Sequence, residues 1–269
     1  MNKIFLNTIL LIMTHFSFGQ SALSYFEKGN EKFVLNENSG AISDYNKAIQ
    51  INKNYEEAYC NRAISKFKMG DYYGAMLDYN KAIEIKPNFE FAYYNRAILY
   101  AEQKSYSEAI SDYTIAIQIN SNFENAYCNR GTIKYYQKDY SGAISDYNNA
   151  IGINPFFDYA YFNRGVLNDE IKKYIEAISD YSNAIKINPN YENAYYSRGL
   201  TNCKIGNYYT AILDYNTAIQ INPKYGDAYL NRGLTYIFLS DMNNGCLDLN
   251  KAKELGCEKA NEKLKKYCN

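Results

Sequence analysis

Arginine stands at Arg62, Arg96, Arg130, Arg164, Arg198 and Arg232, thirty-four residues apart each time, and nowhere else in the 269 residues. A guanidinium does two things that an ammonium does poorly: it forks onto both oxygens of one carboxylate, and it cradles an anionic ligand through several N–H groups at once. Carboxylates for the first use travel on the same ruler, at Asp78, Asp112, Asp146, Asp180, Asp214 and Asp248, sixteen residues after each arginine. A row built to hold an anion needs no acid companion in every interval. The spacing therefore favours structural ion pairs, each arginine gripping an aspartate of its own or an adjacent interval; an anion-binding row is the alternative. The first interval carries Lys28 and Asp44 in these places.

Other reactive residue types are sparse. The one histidine, His15, lies in MNKIFLNTILLIMTHFSFGQ, where one lysine precedes an apolar stretch from Ile4 to Phe18 and small residues at Ser17 and Gly19. This segment reads as a secretory signal peptide over residues 1–19, cleaved near Gly19–Gln20, so that the mature protein is exported, either to a periplasm or out of the cell. Its loss takes away the imidazole, and with it any Ser-His or Cys-His pair and the commonest zinc ligand. No CxxC spacing exists, so neither a metal nor a cofactor is expected. Two carboxylates alone can hydrolyse a glycosidic bond, but the repeated acids offer no unrepeated pair, and the chain reads as a non-enzyme. With 29 acidic and 29 basic residues interspersed, neither nucleic acid nor an anionic membrane surface is indicated as a partner. Past residue 19 no apolar run could span a bilayer.

The elements that position these residues follow from the same interval. Beginning at Ala22, the chain divides into 22–55, 56–89, 90–123, 124–157, 158–191, 192–225 and 226–259, with a tail over 260–269. Numbering positions within each interval, tyrosine stands at position 4 (Tyr25, Tyr59 and on to Tyr229) and a small residue at position 8 (Gly29, Ala63 and on to Gly233). Ala143, Ile144, Tyr147, Ala150 and Ile151 form an apolar stripe of helical spacing, so the second half of each interval is an amphipathic helix. A second helix fills the first half, joined by polar links such as Gly70-Asp71 and Gly206-Asn207. Pro87, Pro155, Pro189 and Pro223, all at position 32, close the second helix. Small residues at positions 8 and 20 permit a close helix crossing, and tyrosines at positions 4 and 24 fill the gaps beside it. One such hairpin cannot bury both faces, so the intervals must stack.

Tyr59, Ala63, Ala75, Tyr79, Ala82 and Pro87 resemble the tetratricopeptide-repeat pattern, with tyrosine where that family has tryptophan and phenylalanine. Departures are the arginine at position 7, usually leucine in the family, and Lys53, Ser121 and Cys257 in place of the proline. The resemblance implies an all-α, right-handed α-solenoid of about seven helix-turn-helix units, with 20–269 as the array and 260–269 as a C-terminal capping helix of the kind found in secreted bacterial members. Ala260, Leu264 and Tyr267 share the face of that helix which would cover the last unit. Cys246 and Cys268 would then face each other across an antiparallel hairpin and pair as a disulfide; Cys60 and Cys128 lie two units apart, and Cys203 and Cys257 have no evident partner.

In that family the first helices line a concave groove. Phe91, Tyr94, Tyr135, Tyr136, Tyr159, Phe162 and Tyr196 occupy groove positions, beside Asn95, Asn129, Asn163, Glu102, Asp169 and Glu170. Such a surface suits an extended peptide or another protein; the other reading of these rings is packing between units. Position 5 carries Phe26, Cys60, Tyr94, Cys128, Phe162, Tyr196 and Leu230, which leaves no basic clamp for a chaperone's C-terminal carboxylate. The functional expectation is an exported, non-catalytic scaffold for a partner protein or peptide, with homo-oligomers compatible. The alternative is a glycan-binding envelope accessory protein.

Overall fold

The structure, a computed structural model, describes residues 21–268; the expected signal peptide lies outside the described residues. The chain divides into two compact units, one ending at Ser121 and the other beginning at Asn122. The described part of the first holds three helical hairpins: α1 (Ala22–Val34) with α2 (Asn38–Ile51), α3 (Glu56–Lys68) with α4 (Tyr72–Ile85), and α5 (Glu90–Glu102) with α6 (Tyr106–Ile119). The second holds four: α7 (Glu124–Tyr136) with α8 (Tyr140–Ile153), α9 (Asp158–Glu170) with α10 (Tyr174–Ile187), α11 (Glu192–Lys204) with α12 (Tyr208–Ile221), and α13 (Gly226–Phe238) with α14 (Met242–Glu254), followed by α15 (Glu258–Tyr267). Within each unit a helix packs against its hairpin partner and against the nearest helix of the next hairpin, and the first helices of successive hairpins also touch.

Each hairpin turns at position 15, where the backbone enters the left-handed region: Gly70 and Gly206 at φ 82° and 83°, and Asn36, Lys104, Lys138, Lys172 and Ser240 between 60° and 66°. The turn closes by backbone bonds of the helix C-terminal type, as in Asp71 N–H to Lys66 O at 2.9 Å. Asp71, Asp139 and Asp241 then cap the second helix by accepting from the N–H three residues on. The second helix ends on an extended residue, such as Asn154 or Asn188, and a following proline enforces that geometry.

Packing follows the small-residue rule. Alanines at positions 3, 20 and 27 are wholly buried, as in Ala58, Ala75 and Ala82. The position 24 ring lies in the crossing they open: Tyr45, Tyr79, Tyr113, Tyr147, Tyr181 and Tyr215 are at most 2% exposed. At Gly29, Gly165 and Gly199 in position 8 the ring comes closer than any side chain would allow. A Cβ on Gly165 would lie 2.8 Å from Tyr181 Cε1, and one on Gly199 2.7 Å from Tyr215 Cε1. Position 4 tyrosines sit only half-buried and have a second task described below.

The last helix departs from the thirty-four-residue frame. The second helix of the seventh hairpin is one residue shorter than in the other repeats, and Gly256 turns at φ 84°, so α15 begins at Glu258, two residues ahead of the expected 260. Ala260, Leu264 and the two cysteines Cys257 and Cys268 pack against Leu230, Leu249 and Ala252. Tyr267 is half-buried beside them.

Two glycines in the second unit should respond oppositely to alanine. Gly165→Ala drives a methyl into Tyr181 and is expected to cost about 1–2 kcal/mol, an overpacking cost. Gly152 has open space around its Cβ direction, and Gly152→Ala should stabilise by about 0.5–1 kcal/mol through helix propensity. Urea unfolding of both variants checks this, and the same sign for both contradicts the packing account.

Candidate functional site

Each arginine enters from position 7 of a first helix and meets the aspartate at position 23 on the second helix of the same hairpin. The fork is two-pronged. In Arg62–Asp78 the Nε–Oδ2 and Nη2–Oδ1 distances are 2.8 and 2.5 Å, in Arg96–Asp112 2.7 and 2.8 Å, in Arg130–Asp146 2.9 and 2.7 Å. Arg164–Asp180 repeats it at 3.0 and 2.6 Å and Arg232–Asp248 at 2.7 Å for both; in Arg198–Asp214 the Nε donates to both oxygens at 3.2 and 3.1 Å while Nη2 holds Oδ1 at 2.7 Å. The aspartates are buried and the guanidinium groups largely so.

In Arg62, Arg96, Arg164, Arg198 and Arg232 the remaining amino group, Nη1, reaches back to the preceding hairpin. It donates to Asn46 from Arg62, to Asn80 from Arg96, to Asn148 from Arg164 and to Asn216 from Arg232, each at 2.6 Å, and to Ser182 Oγ from Arg198 at 2.9 Å. One such side chain thus closes its own hairpin with charge and fastens it to the neighbour through an amide or hydroxyl oxygen. Beneath each guanidinium lies the position 4 tyrosine, with the guanidinium carbon 5.2 to 5.6 Å from the ring centre. That contact adds about 0.5–1 kcal/mol per pair at such a site. The position 4 ring therefore serves the clamp as well as the core.

Position 11 supplies another donor to the same carboxylate. Lys66 and Lys134 reach Asp78 and Asp146 at 2.8 Å; Asn168 and Asn202 donate to Asp180 and Asp214 at 2.9 and 3.3 Å. The first hairpin corrects a sequence expectation. Asp44 pairs with Lys32 at 2.5 Å and Lys47 at 3.4 Å, while Lys28 is exposed, its ammonium 5.9 Å from the Tyr25 ring. An ammonium at position 7 has no second prong for the carboxylate, and no described helix precedes α1 to orient it. Burial works against ionisation of Asp44, and the Lys32 bond and charge outweigh it, holding the carboxyl below its usual range. Arg96 shows the converse: burial disfavours the cation, and the bond to Asp112 more than compensates.

The seven rings expected to meet a partner fall into two groups. Tyr94, Phe162 and Tyr196, at position 5, are half-buried in ring packing: Phe162 lies 5.9 Å from Tyr181 and 4.9 Å from Tyr191, Tyr196 6.0 Å from Tyr215 and 4.9 Å from Tyr225, Tyr94 5.8 Å from Tyr113. Tyr135 is half-buried between Tyr136 and Tyr140. Phe91, Tyr136 and Tyr159 are exposed, at 49%, 63% and 42%. An aromatic row at position 34, such as Tyr191 and Tyr225, proves as structural as position 24; its signal in the sequence is an aromatic every thirty-four residues.

A family model described as "Tetratricopeptide repeat" matches residues 56–89, 91–123 and 124–157, and one described as "TPR repeat" matches 29–70, 170–206 and 203–237. This chain belongs to the tetratricopeptide-repeat family. Among solved structures, it is similar to a tetratricopeptide repeat protein from Parabacteroides merdae, with a TM-score of 0.66 and 21% identity over 93% of this chain and 100% of that one. It is also similar to Pseudomonas aeruginosa pilF, with a TM-score of 0.70 and 19% identity over 78% and 96%. A third is YrrB, described as a TPR protein with an unusual peptide-binding site, with a TM-score of 0.58 and 21% identity over 70% and 97%. No curated protein sequence matches the chain significantly.

In this tetratricopeptide-repeat protein Cys246 on α14 and Cys268 just after α15 are joined as a disulfide, with their Cα atoms 5.7 Å apart. The bond staples the closing helix to the last hairpin. Cys60 and Cys128 are buried thiols, each pushed up to about 12 by burial, so both are neutral and unreactive near pH 7. Cys203 and Cys257 are half-buried thiols. No group of three or more His, Cys, Asp or Glu side chains among the described residues could hold a metal, and no described helix is long and apolar enough to cross a membrane.

The clamp has a measurable value. Arg164→Ala leaves Asp180 buried with only Asn168 to satisfy it and is expected to cost about 3 kcal/mol. Arg164→Lys restores charge without the fork or the reach to Asn148 and should recover less than half of that loss. Urea unfolding followed by circular dichroism decides, and an alanine variant as stable as wild type would falsify the clamp.

Proposed function

We propose that the protein is an exported, non-catalytic scaffold that takes another protein or an extended peptide on the solvent-facing aromatic side chains of its first helices. Tetratricopeptide repeats form protein-interaction scaffolds in general, and the observation that carries the reading here is the set of exposed rings on those helices. Tyr136 on α7 and Tyr159 on α9, in one unit, and Phe91 on α5, in the other, present aromatic surface to solvent, whereas the clamp residues are wholly engaged in holding the hairpins. Solvent-facing aromatics of this kind supply most of the energy at protein interfaces. The similar fold of YrrB, described as having a peptide-binding site, supports the same reading.

The test is capture from a native extract by the wild-type protein and by a Phe91→Ala, Tyr136→Ala, Tyr159→Ala variant with an unchanged melting curve. A partner held by the first and lost by the second is the expected outcome. Equal capture, or none, moves the binding surface elsewhere, and binding to an oligosaccharide array would then favour the glycan reading.

Export is supported by the composition of residues 1–19 and by the Cys246–Cys268 disulfide, since such bonds persist in oxidising compartments. Protein recovered with its thiols blocked, without reductant, should show an N-terminus at Gln20 and a linked Cys246–Cys268 peptide by mass spectrometry. Recovery from the cytoplasm alone, with residues 1–19 intact, counts against export.

A further inference from the structure

Position 5 is a ring in the first, third, fifth and sixth repeats. Phe26, Phe162 and Tyr196 each approach the position 34 ring that follows, Tyr55, Tyr191 and Tyr225, at 4.9 Å. The second repeat has Cys60 in this place, and its position 34 ring, Phe89, lies in the same buried cluster and also packs edge-on against Phe91 at 6.0 Å. In the fourth repeat, with Cys128, Phe157 lies 6.4 Å from Tyr159. In the first unit a cavity of about 460 Å³ lies beside this place, lined by the buried Cys60, the half-buried Ile64, Phe89 and the exposed Phe91, with the amides of Asn61 and Asn95 alongside.

Its border is electrically one-sided. Glu56, Glu57 and Glu90 surround a single ammonium, Lys86, which bonds Glu56 at 3.0 Å, lies 4.0 Å from Glu57 and stands over the Phe89 ring. The cavity lining itself holds Glu57 and Glu90 against Lys86, a net charge of minus one, with Glu56 as a further acid at its border. A phosphate, a carboxylate terminus or an acidic peptide is repelled there. An apolar group attached to a cation is attracted twice, by burial and by charge.

We propose that this cavity receives one apolar side chain of an extended peptide partner, with a lysine or arginine next to it in the peptide pairing with Glu57 and Glu90. The inference rests on the peptide-binding reading above and gives it a chemical specificity. Asparagine side chains beside the cavity can bond the peptide backbone, which holds the strand in place while the cavity and its acids select the residues.

The array supplies its own blocking substitution. Cys60→Phe introduces the residue that the first and fifth repeats already carry in this place, and Cys60→Leu introduces that of the seventh, so a choice of two fills is available should one fail to fold. A phage-displayed random dodecapeptide library is selected against the wild-type protein, and the best peptide is measured by fluorescence anisotropy. The expected consensus is an apolar residue adjacent to lysine or arginine. Filling the cavity should weaken that peptide about tenfold or more, as for loss of a central interface contact. Glu57→Gln with Glu90→Gln should weaken it about threefold, a difference that disappears in about 0.5 M salt. A consensus without the basic residue, or unchanged binding by a filled variant that melts like wild type, overturns the proposal while leaving peptide binding intact. No enrichment of any peptide overturns both.

Discussion

The arginine–aspartate fork is the interaction on which the rest of the molecule depends. It joins the two helices of a hairpin through a buried carboxylate, and its third donor joins that hairpin to the one before. Buried ion pairs add little net stability against apolar residues of the same size. What this pair adds is register, because a planar fork accepts one alignment of two helices and an amide at 2.6 Å accepts one alignment of two hairpins. A helix rotated or slid by a residue would leave the aspartate buried without its partners, so the misaligned stack is excluded by desolvation.

With register set by charge, packing can rest on few residue types. Alanine and glycine at the crossings let tyrosine occupy the space that larger side chains would otherwise dispute. The same economy explains the uneven rings on the first helices. Position 5 packs against the position 34 ring that follows when it is aromatic, as at Phe162, whereas a cavity lies beside Cys60. The disulfide belongs to the end of the second unit, where α15 has no following hairpin among the described residues to hold it.

Much of this was legible from spacing. A residue type confined to one place in every interval, as arginine is, announces a role that only its chemistry can fill, and the aspartates sixteen residues later named its partner. The oxygen that receives Nη1 was equally visible, in the Asn or Ser that follows Asp-Tyr, as at Asn46 and Ser182, but a small polar residue on a helix reads first as solvated. Position 11 was hidden because lysine, asparagine and tyrosine share it and only reach decides which bonds the carboxylate. Lys28 shows the converse error, since equivalent position did not confer equivalent contact. Tyrosine was the least readable of all: its ring serves core, clamp and surface alike, and the difference between Phe162 and Tyr159 lies in what stands opposite, which a single sequence does not display. The start of α15 shifted because a shortened helix, not the interval, set the last turn.

The confinement of arginine to the clamps has a further consequence for how the molecule meets proteases. An enzyme that cuts after arginine finds six sites in the sequence, one in each hairpin but the first, and each lies inside a first helix with its side chain held between a carboxylate and a tyrosine ring. Cleavage there must wait for that hairpin to open, whereas most of the described lysines are exposed. The arginines therefore act as built-in gauges of local unfolding, one per hairpin, and the order in which fragments appear would rank the repeats by the free energy of their separate openings.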